Sequence, residues 1–151
     1  MSQSLVQIYL HIVFATKGRS TFLKDTLFRK DVHSYLAGIC NNQDCPAITV
    51  GGVEDHVHLL CRLGKQNEVS ELIRELKRSS SKFVTKQRAR LAGFQWQAGY
   101  GAFSISPAHV KSLTEYIIGQ EEHHRRESFQ DELRRLCAKY ALKLDERYAW
   151  E

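Results

Sequence analysis

The stretch Cys45-Pro46-Ala47-Ile48-Thr49-Val50-Gly51-Gly52-Val53-Glu54-Asp55-His56-Val57-His58-Leu59-Leu60-Cys61-Arg62-Leu63 decides the fold. Cys45 to Val50 is a β-branched run, Gly51 and Gly52 punctuate it, and Val53 to Leu63 resumes with alternating and apolar residues. That is the pattern of two strands joined by a tight connection and paired antiparallel. His56 and His58 flank Val57 in the second of them. Side chains alternate across a sheet, so both imidazoles point to one face, about 7 Å apart along the backbone. Two nitrogens on one face can converge on a single metal ion. In a chain with seven histidines an H-x-H pair is a weak signal by itself.

Toward the N-terminus, Ser4 to Thr16 is β-rich, free of Gly and Pro, and ends at the polar Thr16, Lys17, Gly18 and Arg19, which reads as the first strand. From about Asp25 to Asn41, Leu27, Phe28, Val32, Tyr35, Leu36 and Ile39 recur at three- and four-residue intervals, as on one face of a helix. Beyond the quoted stretch, Asn67 is placed to cap a helix running to about Arg90, with Val69, Leu72, Ile73, Leu76 and Phe83 as its buried stripe. Glycines 93, 99 and 101 interrupt the chain before a short strand, Ala102 to Ser106, and Pro107 suits the first turn of a helix reaching His124. A last helix spans about Phe129 to Tyr140. The order β-α-β-β-α-β-α-α predicts a ferredoxin-like (split β-α-β) α+β fold, an antiparallel four-stranded sheet with helices on one face. One domain over 1–151 is expected, with a core at about 5–125 and a helical extension at about 126–151.

The composition fits one packed unit: 151 residues, 42% hydrophobic. The formal net charge of +5 and a sequence pI near 9.1 favour polyanionic partners. Apolar runs such as Gln7 to Phe14 fall far short of the roughly 20 residues that span a bilayer, and no charged-then-apolar leader opens the chain. A soluble cytoplasmic protein without membrane association is the expectation. Cys40, Cys45, Cys61 and Cys137 form no C-x-x-C and match no common zinc spacing, so reduced, mostly buried thiols are expected.

Tyr116 and Gln120 lie four residues apart on the helix after the fourth strand, hence on one face and one turn apart. Phosphoryl transfer needs a nucleophile held close to the metal that polarises the phosphate, and a helix carrying both nucleophile and ligand supplies that spacing. Arg74, Lys77, Arg78 and Lys82, with Ser79 to Ser81 between them, are candidate phosphate contacts along the second helix, and Lys17 and Arg19 follow the first strand. For each of these a solvated surface is the alternative. His11 reads as a hydrogen-bonded structural histidine, and His123 and His124 as cations suited to a helix end. No dedicated base for the tyrosine stands out.

Four segments, taken in order, resemble the HUH endonucleases, specifically the IS200/IS605 single-tyrosine transposases and the REP-associated tyrosine transposases. They are Leu10-His11-Ile12-Val13-Phe14-Ala15-Thr16-Lys17, Asp55-His56-Val57-His58-Leu59-Leu60, Leu76-Lys77-Arg78-Ser79-Ser80-Ser81-Lys82 and Tyr116-Ile117-Ile118-Gly119-Gln120. The resemblance spans roughly residues 5 to 125. It implies a divalent ion, Mg²⁺ or Mn²⁺, held by His56, His58 and Gln120, and Tyr116 as the catalytic nucleophile. It further implies a homodimer acting without a nucleotide cofactor on single-stranded DNA with hairpins, cut and rejoined through a 5′-phosphotyrosine. A domesticated relative would use the same residues, and a non-catalytic RNA- or DNA-binding module would share the sheet topology.

Overall fold

The computed structural model describes residues 2–151. Its sheet contains β1 (Tyr9–Ala15), β2 (Ala47–Gly52), β3 (His56–Arg62) and β4 (Gly101–Ile105), in the spatial order β2-β3-β1-β4 with every pair antiparallel. The helices are α1 (Thr26–Asn42), α2 (Val69–Gln87), α3 (Val110–Ile118), α4 (Gln120–His123) and α5 (Phe129–Lys139). The central pair β1 and β3 sets Ala15 against His56, Val13 against His58 and His11 against Leu60.

The period of two sorts these strands into two different faces. Leu10, Ile12 and Phe14 of β1 and Val57, Leu59 and Cys61 of β3 pack with Phe28, Val32, Leu36 and Ile39 of α1 and with Leu72, Ile73, Leu76 and Val84 of α2. These two crossover helices share one face, as the split β-α-β pattern requires. The other face carries His11, Val13, Ala15, His56, His58 and Leu60, and it is covered too, which departs from the one-face expectation. There Phe103 joins Val13 and Ala15 under Phe129, Leu133 and Leu136 of α5, while Leu60 and Ile105 pack with Ile117 of α3. Apolar residues on both sides of a sheet need cover on both sides, and the elements after β4 provide the second layer.

Several element ends also differ from the sequence expectation. The first strand starts at Tyr9 because its neighbours end there: Tyr9 faces Arg62 of β3 and Ile105 of β4, and the ladder has no further partner for Leu5 or Val6. Asp25 caps α1 by accepting from the Leu27 and Phe28 amides. Glu68, not Asn67, precedes α2, with no side-chain cap. The segment Pro107 to His124 is a 3-10 turn followed by α3 and α4, separated at Gly119. All four cysteines are buried free thiols. No helix among the described residues is long and apolar enough to cross a membrane.

Gly51 allows α3 to lie against the sheet. A Cβ at this position would come within 2.5 Å of the Ile117 carbonyl oxygen and 2.9 Å of its Cγ2. Gly51→Ala is therefore expected to lower the unfolding free energy by about 1–3 kcal/mol, as overpacking does. Gly38 in α1 has open space around its would-be Cβ. Gly38→Ala should raise stability by about 0.5–1 kcal/mol, so urea midpoints of the two variants should move in opposite directions.

His33 on α1 has a buried Nε2 without a hydrogen-bond partner. Burial, reinforced by Arg29 and opposed by Glu121, holds its pKa down to about 4. A histidine depressed in the native state stabilises the fold above its unfolded value, about 6.5, and that contribution is lost as the pH falls toward 4. His33→Gln should therefore lose on the order of 2 kcal/mol less than the parent between pH 7 and pH 4, read from urea midpoints. An equally steep decline in the variant would place the acid-sensitive group elsewhere.

Candidate active site

The histidine-bearing face of β3 lies beneath α3, α4 and α5, so His56 and His58 are fully buried. Buried imidazoles need partners, and each has one on both nitrogens. His58 Nδ1 is 2.8 Å from His11 Nε2, with the rings stacked at 5.0 Å, and its Nε2 is 2.8 Å from Glu132 Oε1. His56 Nδ1 donates to Asp55 Oδ1 at 2.7 Å, while its Nε2 lies 3.0 Å from His124 Nε2 and 3.3 Å from Glu132 Oε1. Asp55 sits in the connection between β2 and β3, where its carbonyl accepts from the Thr16 amide at 2.8 Å.

α3 brings Tyr116 to the same place within the same chain, with its ring edge-on to His58 at 5.8 Å. The Tyr116 hydroxyl donates to Glu132 and accepts from Arg135 Nη2 at 2.8 Å. Gln120, one turn further along, is buried and donates from Nε2 to Glu132 Oε2 at 3.3 Å. Its Oε1 is buried and has no partner. A buried acceptor without a donor carries a desolvation cost of about 1–3 kcal/mol, and a cation among the neighbouring imidazoles would relieve it. The residues present thus suit a metal ion, and His56, His58, His124 and Glu132 offer ligand atoms all within 4.8 Å of one another.

Electrostatics in the cluster are divided. Burial lowers the basicity of His56, but Asp55 and Glu132 outweigh it and hold its pKa at about 8. His58 is held down to about 4 by burial, against the pull of Glu132, and His11 to about 3 by burial and by His58. Burial would raise Glu132, but hydrogen bonds from His124, His56 and His58 hold it well below the usual carboxylate range. Burial and the Glu132 carboxylate keep the Tyr116 hydroxyl above its ordinary value, with Gln120 and Arg135 acting the other way.

The sequence brought His56, His58, Tyr116 and Gln120 to notice, and the fold brings all four together. Glu132, His124 and Arg135 were missed as site residues. The signal for Glu132 was its place on the apolar stripe of α5, three residues after Phe129 and four before Leu136, where a carboxylate must be buried. Nothing in its local pattern indicates which partner it meets.

The basic residues fall in two places. Lys17 and Arg19 occupy the turn after β1, beside Asp55 and the His56 end of β3. Arg74, Lys77, Arg78 and Lys82 lie on α2, across the sheet from Tyr116. Arg74 pairs with Glu71 and Arg78 with Glu75, while Lys82 is exposed. Lys77 corrects the sequence reading: its ammonium donates to the carbonyls of Gln97, Ala98 and Gly99 at 2.8, 3.1 and 2.8 Å, leaving no donor for phosphate. A cleft of about 530 Å³ opens beside Tyr116 between β4, α3 and α5, lined in part by His109, Ser112, Tyr116, Arg135 and Lys139.

A four-stranded antiparallel sheet with paired histidines on a central strand and a tyrosine on the helix after β4 is the arrangement expected of an HUH-type transposase. The family described as "Transposase IS200 like" matches residues 4–120, and the chain belongs to it. Among solved structures, a protein of Deinococcus radiodurans R1 assigned to the transposases is 20% identical, with a TM-score of 0.61 over 78% of this chain and 95% of its own. A REP-associated tyrosine transposase bound to a REP hairpin is 16% identical, with a TM-score of 0.54 over 78% of this chain and 70% of its own. Among curated proteins, none matches the sequence.

Lys77 holds the loop whose Gln97 side chain accepts from the Ala15 amide at 2.7 Å, next to the His56 end of the sheet. Lys77→Met should cost about 1–3 kcal/mol of stability, because three carbonyls lose their donor. It should leave the slope of log DNA affinity against log salt unchanged, since no phosphate contact is removed. A shallower slope with unchanged stability would return Lys77 to the DNA interface.

Proposed function

We propose that this chain cleaves and rejoins single-stranded DNA through a covalent bond to Tyr116. The observation that carries the reading is the convergence of Tyr116, His56, His58 and Gln120 on the Glu132 carboxylate within a chain of the IS200-like transposase family. His56, His58 and Gln120 would hold a divalent cation, Mg²⁺ or Mn²⁺, which when bound supplies polarisation of the scissile phosphate.

The protein's own residues do the rest. The Tyr116 oxygen attacks phosphorus and the bond from phosphorus to the 3′ oxygen breaks, leaving a 5′-phosphotyrosine and, once that oxygen takes a proton, a free 3′-OH. The link conserves the phosphodiester, so a 3′-OH of another strand reverses the step without a nucleotide cofactor. The hydroxyl proton faces Glu132, its nearest carboxylate acceptor, and the Arg135 guanidinium stands 2.8 Å from the attacking oxygen, where it can meet the phosphate charge. The cleft beside Tyr116, with Arg135 and Lys139 in its wall, has the charge and openness for a single strand to enter. Lys17 and Arg19 lie in reach of the backbone of DNA leaving the His56 end, and Arg74, Arg78 and Lys82 serve only DNA that turns around the sheet edge.

The substrate class is a single strand bearing hairpins, in keeping with the family resemblance and with the hairpin bound by the REP-associated relative. Homodimerisation, also expected of the family, is not needed to complete this site, because both histidines, the tyrosine and the glutamine meet in one chain. Such a reaction belongs in the cytoplasm, where the DNA is.

Tyr116→Phe removes only the nucleophilic oxygen. Incubated with single-stranded DNA from the flanks of its own gene and Mn²⁺, the wild-type protein should form a covalent adduct that survives denaturing electrophoresis. The variant should form none while binding the same DNA within about twofold of wild type. An adduct of normal yield in the variant would exclude Tyr116 as the nucleophile.

A further inference from the structure

We infer that Glu132 and His124 are ligands of the same cation as His56, so that the C-terminal helix α5 is part of the catalytic centre. This rests on the metal-dependent reading of His56 and His58 given above and extends it to residues beyond the family match at 4–120.

The hydrogen bonds around the cluster turn its ligand atoms inward. A carboxylate only accepts, so the His56 Nδ1 facing Asp55 carries a proton. A backbone carbonyl also only accepts, so the His124 Nδ1 facing the Glu127 carbonyl carries one too. When neutral, both rings present Nε2 as a ligand atom, and the two Nε2 atoms lie 3.0 Å apart, with Glu132 Oε1 3.3 Å from one and 3.1 Å from the other. Donor atoms packed this closely in a buried place need positive charge among them: a proton held between His56 and its neighbours supplies it, and a divalent ion at the same point would take the proton's place.

The spacing suits a divalent metal. Bonds of about 2.1 Å at right angles put neighbouring ligands about 3.0 Å apart. His58 Nε2 reaches the same Oε1 at 2.8 Å, and its Nδ1 faces His11, the outer hydrogen bond that orients a ligating ring. The orphaned Gln120 Oε1 is a further buried acceptor at the site. Imidazole-rich donor sets with one carboxylate suit Mn²⁺ better than Mg²⁺.

Glu132 has a second oxygen, and it faces the nucleophile. Oε1 meets the imidazoles of His56, His58 and His124, while Oε2 accepts from Tyr116 and Gln120. One carboxylate would thereby join the cation to the tyrosine and fix the distance between them, which α3 alone does not.

The test is titration of the metal-free protein with Mn²⁺ alone, followed by calorimetry. Wild type should bind one ion, and His56→Ala should lose it. Glu132→Ala, Glu132→Gln and His124→Ala should each weaken binding by at least about tenfold. Glu132→Gln keeps the shape and a hydrogen-bonding head, so its weakening cannot be assigned to unfolding, and circular dichroism checks all three. Wild-type Mn²⁺ affinity in Glu132→Gln and His124→Ala, with His56→Ala still defective, would overturn the inference and leave the HUH site standing. So would faster DNA cleavage by Glu132→Ala, which would make the carboxylate a plug in the phosphate's place. Absence of Mn²⁺ binding by the wild-type protein would remove the metal reading and this inference together.

Discussion

Two imidazoles fully buried on one face of a central strand impose a constraint that the surrounding structure answers. An aliphatic face would accept any apolar cover, whereas His56 and His58 require hydrogen-bonding or ligating groups at fixed positions. The protein supplies these from elements distant in sequence: His11 from the neighbouring strand, Asp55 from the tight connection, Gln120 and His124 from α4, and Glu132 from α5. The apolar contacts of the same face, Phe103 with Leu133 and Leu136 and Leu60 with Ile117, hold those elements down. Close seating of α3 follows from the same need, since Gly51 beneath Ile117 brings the tyrosine helix nearer than any side chain would permit.

Charge is arranged on either side of this layer in different ways. Within it, a single carboxylate faces several imidazoles and a phenol, so its negative charge is shared out over donors rather than solvated. Outside it, Arg135 bridges Tyr116 and Glu127 and opens onto the cleft, placing a cation beside the Tyr116 hydroxyl where an anion could approach. On α2 the arginines pair locally with Glu71 and Glu75 one turn away. Pairs this exposed contribute little to stability and exchange readily for other partners.

The parts of this arrangement that were legible in the sequence are those governed by short periods. Alternation over two residues set His56 and His58 on one face, and a spacing of four set Tyr116 and Gln120 on one side of a helix, so each pair was visible without knowing the fold. The four-stranded antiparallel sheet followed from the order of the elements along the chain. Glu132 was not legible, because its burial depends on β3 and α5 meeting across 74 residues, and within α5 it looks like one more charge beside Asp131. Lys77 misled for a related reason. A lysine on a basic helix face has the same pattern whether its ammonium meets water or, as here, folds over Phe14 and Tyr100 onto loop carbonyls. The start of β1 was misplaced because β-rich composition continues through Leu5 and Val6 where the neighbouring strands do not.

The family match ends at Gln120, yet the second layer does not. Without α5, Leu60 and Ile117 would still pack, but Val13, Ala15 and Phe103 would lose their cover and the imidazole face would open to solvent. Water would then satisfy His56 and His58, and the distance from Tyr116 to the histidines would rest on α3 alone. The chain therefore carries, outside the segment that marks its family, the piece that makes the site dry. A dry site strengthens each charge interaction within it, since the effective dielectric falls as water leaves. It leaves a cleft beside Tyr116 between β4, α3 and α5.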